Sequence, residues 1–173
     1  DITADNCVLA LWAVSSQLSE ALDVMQSWGF VHKQTFIWVK TKKDPFAGIL
    51  NEINEQIKKY MSDNNYSDIS LKTIIKFCNL SKPILNIDSI LAFGLGHLMR
   101  NTHEICLIGT KGSVYKQLQN RSQRTVSFAP VTKHSQKPEI LQDRLDLMFP
   151  DTAEMKLNRL EMFARRQRPG WIC

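Results

Sequence analysis

Nowhere in the 173 residues is there an apolar run of about 18 residues, the length a bilayer-crossing helix needs. No charged, apolar, small-residue leader of the secretory type is present either. These absences lead us to expect a soluble protein with no membrane partner, working inside the cell: nuclear in a eukaryote, cytoplasmic in a bacterium or phage. Cysteine is scarce and scattered. Cys7, Cys78, Cys106 and Cys173 never fall at Cys-x-x-Cys spacing, which argues against a zinc ribbon or a disulfide framework and predicts free, mostly buried thiols. His97 and His103 have no Cys or His partner at ligand spacing, so no metal is expected. Gly94-Leu95-Gly96 does not open a helix directly after a strand, so a nicotinamide-cofactor loop is set aside.

What is present suffices for one domain over residues 1–173, with 43% hydrophobic content for a core. Lys and Arg number 22 against 17 Asp and Glu, a net charge of +5 that is modestly favourable for a polyanionic partner. Its distribution is more informative. Lys111, Lys116, Arg121, Arg124, Lys133, Lys137, Arg144, Lys156, Arg159, Arg165, Arg166 and Arg168 all lie in the last 63 residues. That pattern suits a nucleic-acid groove, and equally a solvated face.

Residues 7–14 form a continuous apolar run of strand length, the pattern of a central parallel strand covered on both faces. Ser15 or Ser16 can cap a following helix, in which Leu18, Ala21, Leu22, Met25 and Trp28 recur at helical spacing before Gly29 ends it. Residues 35–40 are β-branched and aromatic and predict a second strand, completing the unit of a parallel sheet. Residues 44–90 change character. One amphipathic helix carries Leu50, Ile53, Ile57 and Tyr60 on a face, and a second, from residue 70 to about 79, carries Leu71, Ile74, Ile75 and Cys78. Two such helices can form a helix-turn-helix-like target reader, or simply a helical cap or subunit contact. Asp44-Pro45-Phe46 reads as a turn. Further strands are expected at 105–110, near 124–128 and at 156–163, with a helix from 140, and the basic stretch 113–133 reads as a loop facing a ligand.

The run His134-Ser135-Gln136-Lys137-Pro138-Glu139, the strand end Leu160-Glu161-Met162-Phe163-Ala164-Arg165-Arg166 and the close Arg168-Pro169-Gly170-Trp171 stand in one order and spacing. Together they resemble the adenine N6-methyltransferases of the MT-A-seventy family, over residues 7–41 and 91–171. The resemblance implies an α/β fold, a Rossmann-like methyltransferase sheet with helices on both faces, in which 44–90 is a helical insertion. It also implies S-adenosylmethionine as cofactor and adenine in nucleic acid as acceptor, DNA favoured over RNA because residues 164–171 look closest to the microbial and protist branches.

On that resemblance the cofactor falls to Ser135, Lys137, Glu161, Phe163 and Arg165, and the substrate to Glu104, Lys137, Arg166 and Arg168. The family's Asp-Pro-Pro-Trp loop, which grips the exocyclic amine, has no counterpart in this sequence, so no catalytic residue is assigned. In the family that loop precedes the run matching 7–14, and a Gly-Asn segment follows the run matching Trp171. We therefore expect a domain that is partial at both ends. The alternative is a non-catalytic subunit that binds nucleic acid and supports a catalytic partner in a heterodimer.

Overall fold

Four segments rich in β-branched and aromatic residues form one sheet in the computed structural model, which describes residues 2–81, 87–153 and 155–173. They are β1 (Cys7–Ala13), β2 (Val31–Thr41), β3 (His103–Lys111) and β4 (Val126–Pro130), in the order β1-β3-β2-β4. Strand β3 runs antiparallel to both neighbours, pairing Trp12 with Cys106 on one side and Phe36 with Cys106 on the other. Strands β1 and β2 therefore run parallel to each other with β3 between them. Their carboxyl ends, at Ala13 and Val39, lie on the edge where β3 begins at His103. The expectation of a central parallel β1 needs correcting: among the described strands β1 is at the edge, and every one of its residues keeps partial exposure. An apolar run reports that a strand is largely covered, not which strand lies beside it.

Helices cover both faces. On one, α1 (Leu18–Ser27) presses Met25 against Phe30 and Leu107, all nearly inaccessible to water. Gly109 makes this approach feasible, because a Cβ there would sit 2.8 Å from the Met25 sulfur. Helix α1 closes as a Schellman motif, with Phe30 N–H donating to Met25 O, Gly29 N–H to Gln26 O, and Gly29 at φ +83°. The serines do not cap it; a 3-10 turn, Ser15–Gln17, leads in and the N-cap is Gln17. Leu18, Leu22 and Trp28, expected in the core stripe, remain exposed. On the other face α2 (Ile140–Met148) packs Leu141 onto Phe36, Trp38 and Cys106. Trp12 meets Phe36 and Trp38 edge to face, with centroids 6.1 and 6.4 Å away. Each such buried side chain contributes about 1.5–3 kcal/mol.

The stretch 156–163 is not a strand of this sheet. Its only ladder contact among the described residues is an isolated parallel bridge from Leu160 to Ile172. Met162 and Phe163 are exposed. Alternation of apolar residues supplies a face but no partner, and ladder pairing depends on the partner. The thiols also depart from expectation: Cys106 is buried, Cys7 half-buried, and Cys78 and Cys173 are exposed.

Residues 40–102 form a compact unit of their own. Asp44 is no mere turn residue: its carboxylate accepts from Ala47 N–H at 3.1 Å and caps α3 (Pro45–Asp63), with proline in the first turn. Ser70 Oγ accepts from Thr73 N–H at the start of α4 (Leu71–Ser81). The buried side of α4 is Thr73 and Phe77, Phe77 meeting Tyr60 at 5.7 Å, while Leu71, Ile75 and Cys78 face water. That face is rotated from the expected one because the largest ring, at 77, takes the contact with α3. Of the expected α3 face, Ile57 is buried and Leu50 exposed. Residues 82–86 of the expected 44–90 segment lie outside the described residues.

Candidate functional site

The carboxyl edge of a parallel strand pair is where α/β sheets bind ligands, and here it holds a charged cluster. Glu104 is the second residue of β3 rather than a residue preceding it, and its carboxylate pairs with Lys137 Nζ. Both side chains are about a quarter exposed, at 27% and 28%. The same ammonium sits 5.5 Å from the ring of Trp12, near the end of β1, a cation-π distance. Beneath them, burial drives the Cys106 thiol up to about 12 despite the opposing pull of Lys137, so it stays neutral and takes no nucleophilic part.

Beside this pair lies a small cavity of about 70 Å³ lined by Ser135, Gln136, Lys137, Gln142, Glu161, Phe163, Arg165 and Arg166. All five residues to which the resemblance assigns the cofactor meet here. The loop that delivers two of them is built from local bonds. Ser135 adopts a left-handed backbone, φ 61°, and its hydroxyl shares a hydrogen with His134 Nδ1 at 2.8 Å. Arg165 donates to the His134 carbonyl at 2.9 Å, fastening the basic C-terminal segment to the loop. Gln142 Nε2 donates to Glu161 at 3.3 Å, and its Oε1 is buried with no partner among the described residues. Phe163 is 88% exposed, a ring open to whatever the pocket receives.

Helix α2 and its N-cap residue, Glu139, hold the segment in place through three carboxylates spaced along one side. Arg168 donates to Glu139 at 2.8 Å and to Asp143 and Asp146 at 2.7 Å, and stacks 5.8 Å from the Trp171 ring, whose Nε1 also donates to Asp146. Burial alone would lower the Arg168 pKa, but the Asp146 and Asp143 bonds outweigh it and the net direction is up. Arg166 lines the cavity and pairs with Glu139, whereas Arg168 is committed to α2 and does not line it. Arg159 binds Asp146 and Asp151 and donates to the Phe149 carbonyl. Sequence reading missed Gln142 and Trp12; only their register, one turn beyond Lys137 and one strand from Glu104, would have exposed them.

A larger cavity of about 430 Å³ extends from Phe36 toward the opposite end of the sheet and contains none of the motif residues. The smaller one, on the carboxyl edge, is where the motif residues gather. Its volume is far below the several hundred Å³ of a complete small-molecule site, so it fits one corner of a cofactor. The donor set suits that corner. Arg165 and Lys137 match a carboxylate, Glu161 and the orphaned Gln142 oxygen match hydroxyl or ammonium donors, and Phe163 matches a flat ring. Among the described residues no three His, Cys, Asp or Glu gather to hold a metal, and no helix is long and apolar enough to cross a membrane.

An α/β sheet with helices on both faces is of the Rossmann-like methyltransferase class. The MT-A70 family model matches residues 49–173, and the chain belongs to that family. It is also 23% identical over 171 residues to a type II methyltransferase, M.MunI, from a Mycoplasma species. That match covers 98% of this chain and 50% of the relative, so the chain spans about half the length of the curated protein it matches.

Proposed function

We propose that this chain, within its full-length protein, is an S-adenosylmethionine-dependent methyltransferase acting on the N6 amine of adenine in nucleic acid, with DNA favoured over RNA. One observation carries this reading: residues 30 positions apart, Ser135 and Arg165, with Lys137, Glu161 and Phe163, converge on one cavity beside the Lys137–Glu104 pair. When bound, the cofactor supplies an electrophilic methyl on a sulfonium, chemistry that needs positioning and water exclusion rather than a metal. In this reading Arg165 holds the cofactor carboxylate, Glu161 accepts from its hydroxyls, and Phe163 covers the site. Lys137 and Glu104, over Trp12, form the wall shared with the acceptor base. Arg166 borders that wall. Arg168 serves the substrate side through the segment it anchors.

The helical segment 44–90 contributes target recognition or partner docking and no chemistry. Lys58, Lys59, Lys72 and Lys76 are exposed on its helices and are available to phosphates, Lys58 through a surface pair with Glu55 that water screens. The work is intracellular, where the nucleic acid is. Calorimetry on the full-length protein tests the cofactor site: Lys137→Ala and Arg165→Ala should each weaken S-adenosylmethionine binding by about tenfold or more, the worth of one charge-assisted bond. Undiminished affinity in both variants removes the assignment. A wild type that binds nucleic acid but no cofactor supports instead the non-catalytic subunit of a heterodimer. Methyl incorporation into RNA oligonucleotides with none into DNA overturns the choice of acceptor.

A further inference from the structure

The larger cavity has an unusual charge balance. Its volume of about 430 Å³ is that of a small-molecule site. Its floor is apolar, made by Phe36 and Ile108 from the sheet and Leu141 and Leu145 from α2. Its rim carries Lys33, Arg121, Arg124 and Arg144, and among the described residues no Asp or Glu lines it. Those four cations come from three separate places: β2, the loop 113–125 and α2. Lys33 falls where the β2–β3 register shifts between His32 and Gln34, a bulge that re-aims the side chain at this position.

Arg144 makes the imbalance sharper. Its guanidinium donates to the carbonyls of Arg124 and Val126 and lies 5.4 Å from the Phe36 ring. Burial draws its pKa down, and among the described residues no carboxylate opposes that effect. The other part-buried arginines are treated differently: Arg159 holds two carboxylates and Arg168 three. Among the described residues, none of Lys33, Arg121, Arg124 and Arg144 pairs with a carboxylate. Arg159 and Arg168 are neutralised by carboxylates, whereas these four cations surround an apolar floor without one.

The complementary ligand is a flat, apolar-faced body joined to a phosphate. We propose that this cavity is a second nucleotide site, taking one base against Phe36, Ile108 and Leu145 and its adjoining phosphate on Arg121, Arg124 and Arg144. Guanidinium forks match phosphate oxygens in pairs, and stacked bases need only a π-compatible surface. Ile108 on the cavity floor lies about 13 Å along β3 from Glu104 of the carboxyl-edge cluster, a separation of four residues. The nucleotide is either free or one unit of a bound strand; for the second source the inference rests on the nucleic-acid reading above.

The test uses the full-length protein, with thymidine 5′-monophosphate and a short single-stranded DNA as probes. Thymidine avoids confusion with the adenine of the cofactor. The variants are Arg121→Gln with Arg124→Gln, neither of whose side chains supports the fold beyond a turn, and Leu118→Trp, which puts a larger side chain on the cavity lining. We expect mononucleotide or strand affinity to fall about tenfold in both, with the strand's salt slope shrinking by roughly one to two phosphate contacts. Lys137→Ala should leave mononucleotide binding within twofold. Loss of strand affinity alone identifies the strand as the source and supports the site. Unchanged affinity for both probes in both variants overturns it, as does mononucleotide binding lost in Lys137→Ala but kept in the rim variants. S-adenosylmethionine binding measured on the same samples keeps the two readings apart: its absence in the wild type removes the methyltransferase proposal and leaves this one standing.

Discussion

Removing Arg168 is the sharpest structural perturbation available, because one side chain, 14% exposed, joins the C-terminal segment to two carboxylates of α2 and that of its N-cap, Glu139. Breaking a buried pair by deleting one partner costs about 3–5 kcal/mol, mostly through the charge left behind. Two features of this site reduce that figure. Asp143 is 57% exposed, so its bond is worth at most a few tenths. Asp146 keeps Arg159 at 2.9 Å and Trp171 at 3.1 Å, and Glu139 keeps Arg166, so neither carboxylate is orphaned. Arg168→Met, which retains the apolar stem, should therefore cost about 2 kcal/mol, and Asp143→Asn under about 0.5 kcal/mol. Arg168→Lys should restore less than half, because an ammonium cannot serve three acceptors in a fork. Urea unfolding of each variant, and a cycle with Asp146→Asn, measures this. A loss below about 0.5 kcal/mol for Arg168→Met, or a coupling to Asp146 indistinguishable from zero, refutes the reasoning.

Thiol reagents at mildly alkaline pH should label Cys78 and Cys173 rapidly in the native protein and Cys106 only on unfolding; native labelling of Cys106 contradicts its burial. The same thiol predicts an alkaline limb. An unfolded cysteine ionises near 9.0 and the native one only at about 12, so the unfolded state binds fewer protons between them. The contribution of Cys106 is whole below 9 and declines as pH climbs, and Cys106→Val should flatten that decline. Asp151 acts at the other end. The Leu157 N–H and then Arg159 hold its pKa below the ordinary 3.8, so its contribution is whole above that value and is lost as pH falls through the lowered one; Asp151→Asn should shallow the acid limb of unfolding. Gly29→Ala, at φ +83° with nothing nearer than 3.8 Å, should cost about 1 kcal/mol of backbone strain. Gly112→Ala should cost distinctly more, since its φ is +65° and its Cβ would also collide with the Asp5 carbonyl. Equal unfolding midpoints for the two would show that the collision relaxes freely.

Local chemistry made much of this molecule legible in advance. The α1 stop at Gly29 was readable because only a residue tolerant of positive φ ends a helix in that way. Helix α2 was readable from Ile140, Leu141, Leu145 and Met148. The edge strand near residues 124–128 lies two residues later, at Val126–Pro130. The run from His134 to Glu139 and the close from Leu160 to Trp171 pointed to one site although they are distant in the chain. Asp44 was misread because a capping carboxylate and a turn residue look alike until Ala47 N–H is seen to face it.

What the sequence by itself determined, then, is whatever depends on neighbours within a turn or a strand: helix stops, apolar stripes, a lysine set before a proline, and the family pattern. What only the tertiary structure decided is whatever depends on a partner far along the chain. That β3 inserts antiparallel between β1 and β2, that Leu160 bridges to Ile172 and not to the sheet, that α4 turns Phe77 rather than Leu71 inward, and that Lys137 meets Glu104 over Trp12 are all choices of this kind. Apolar periodicity specifies that a face be buried and leaves open against what. Opposite charges specify that a partner be found and leave open which, until packing brings one within reach.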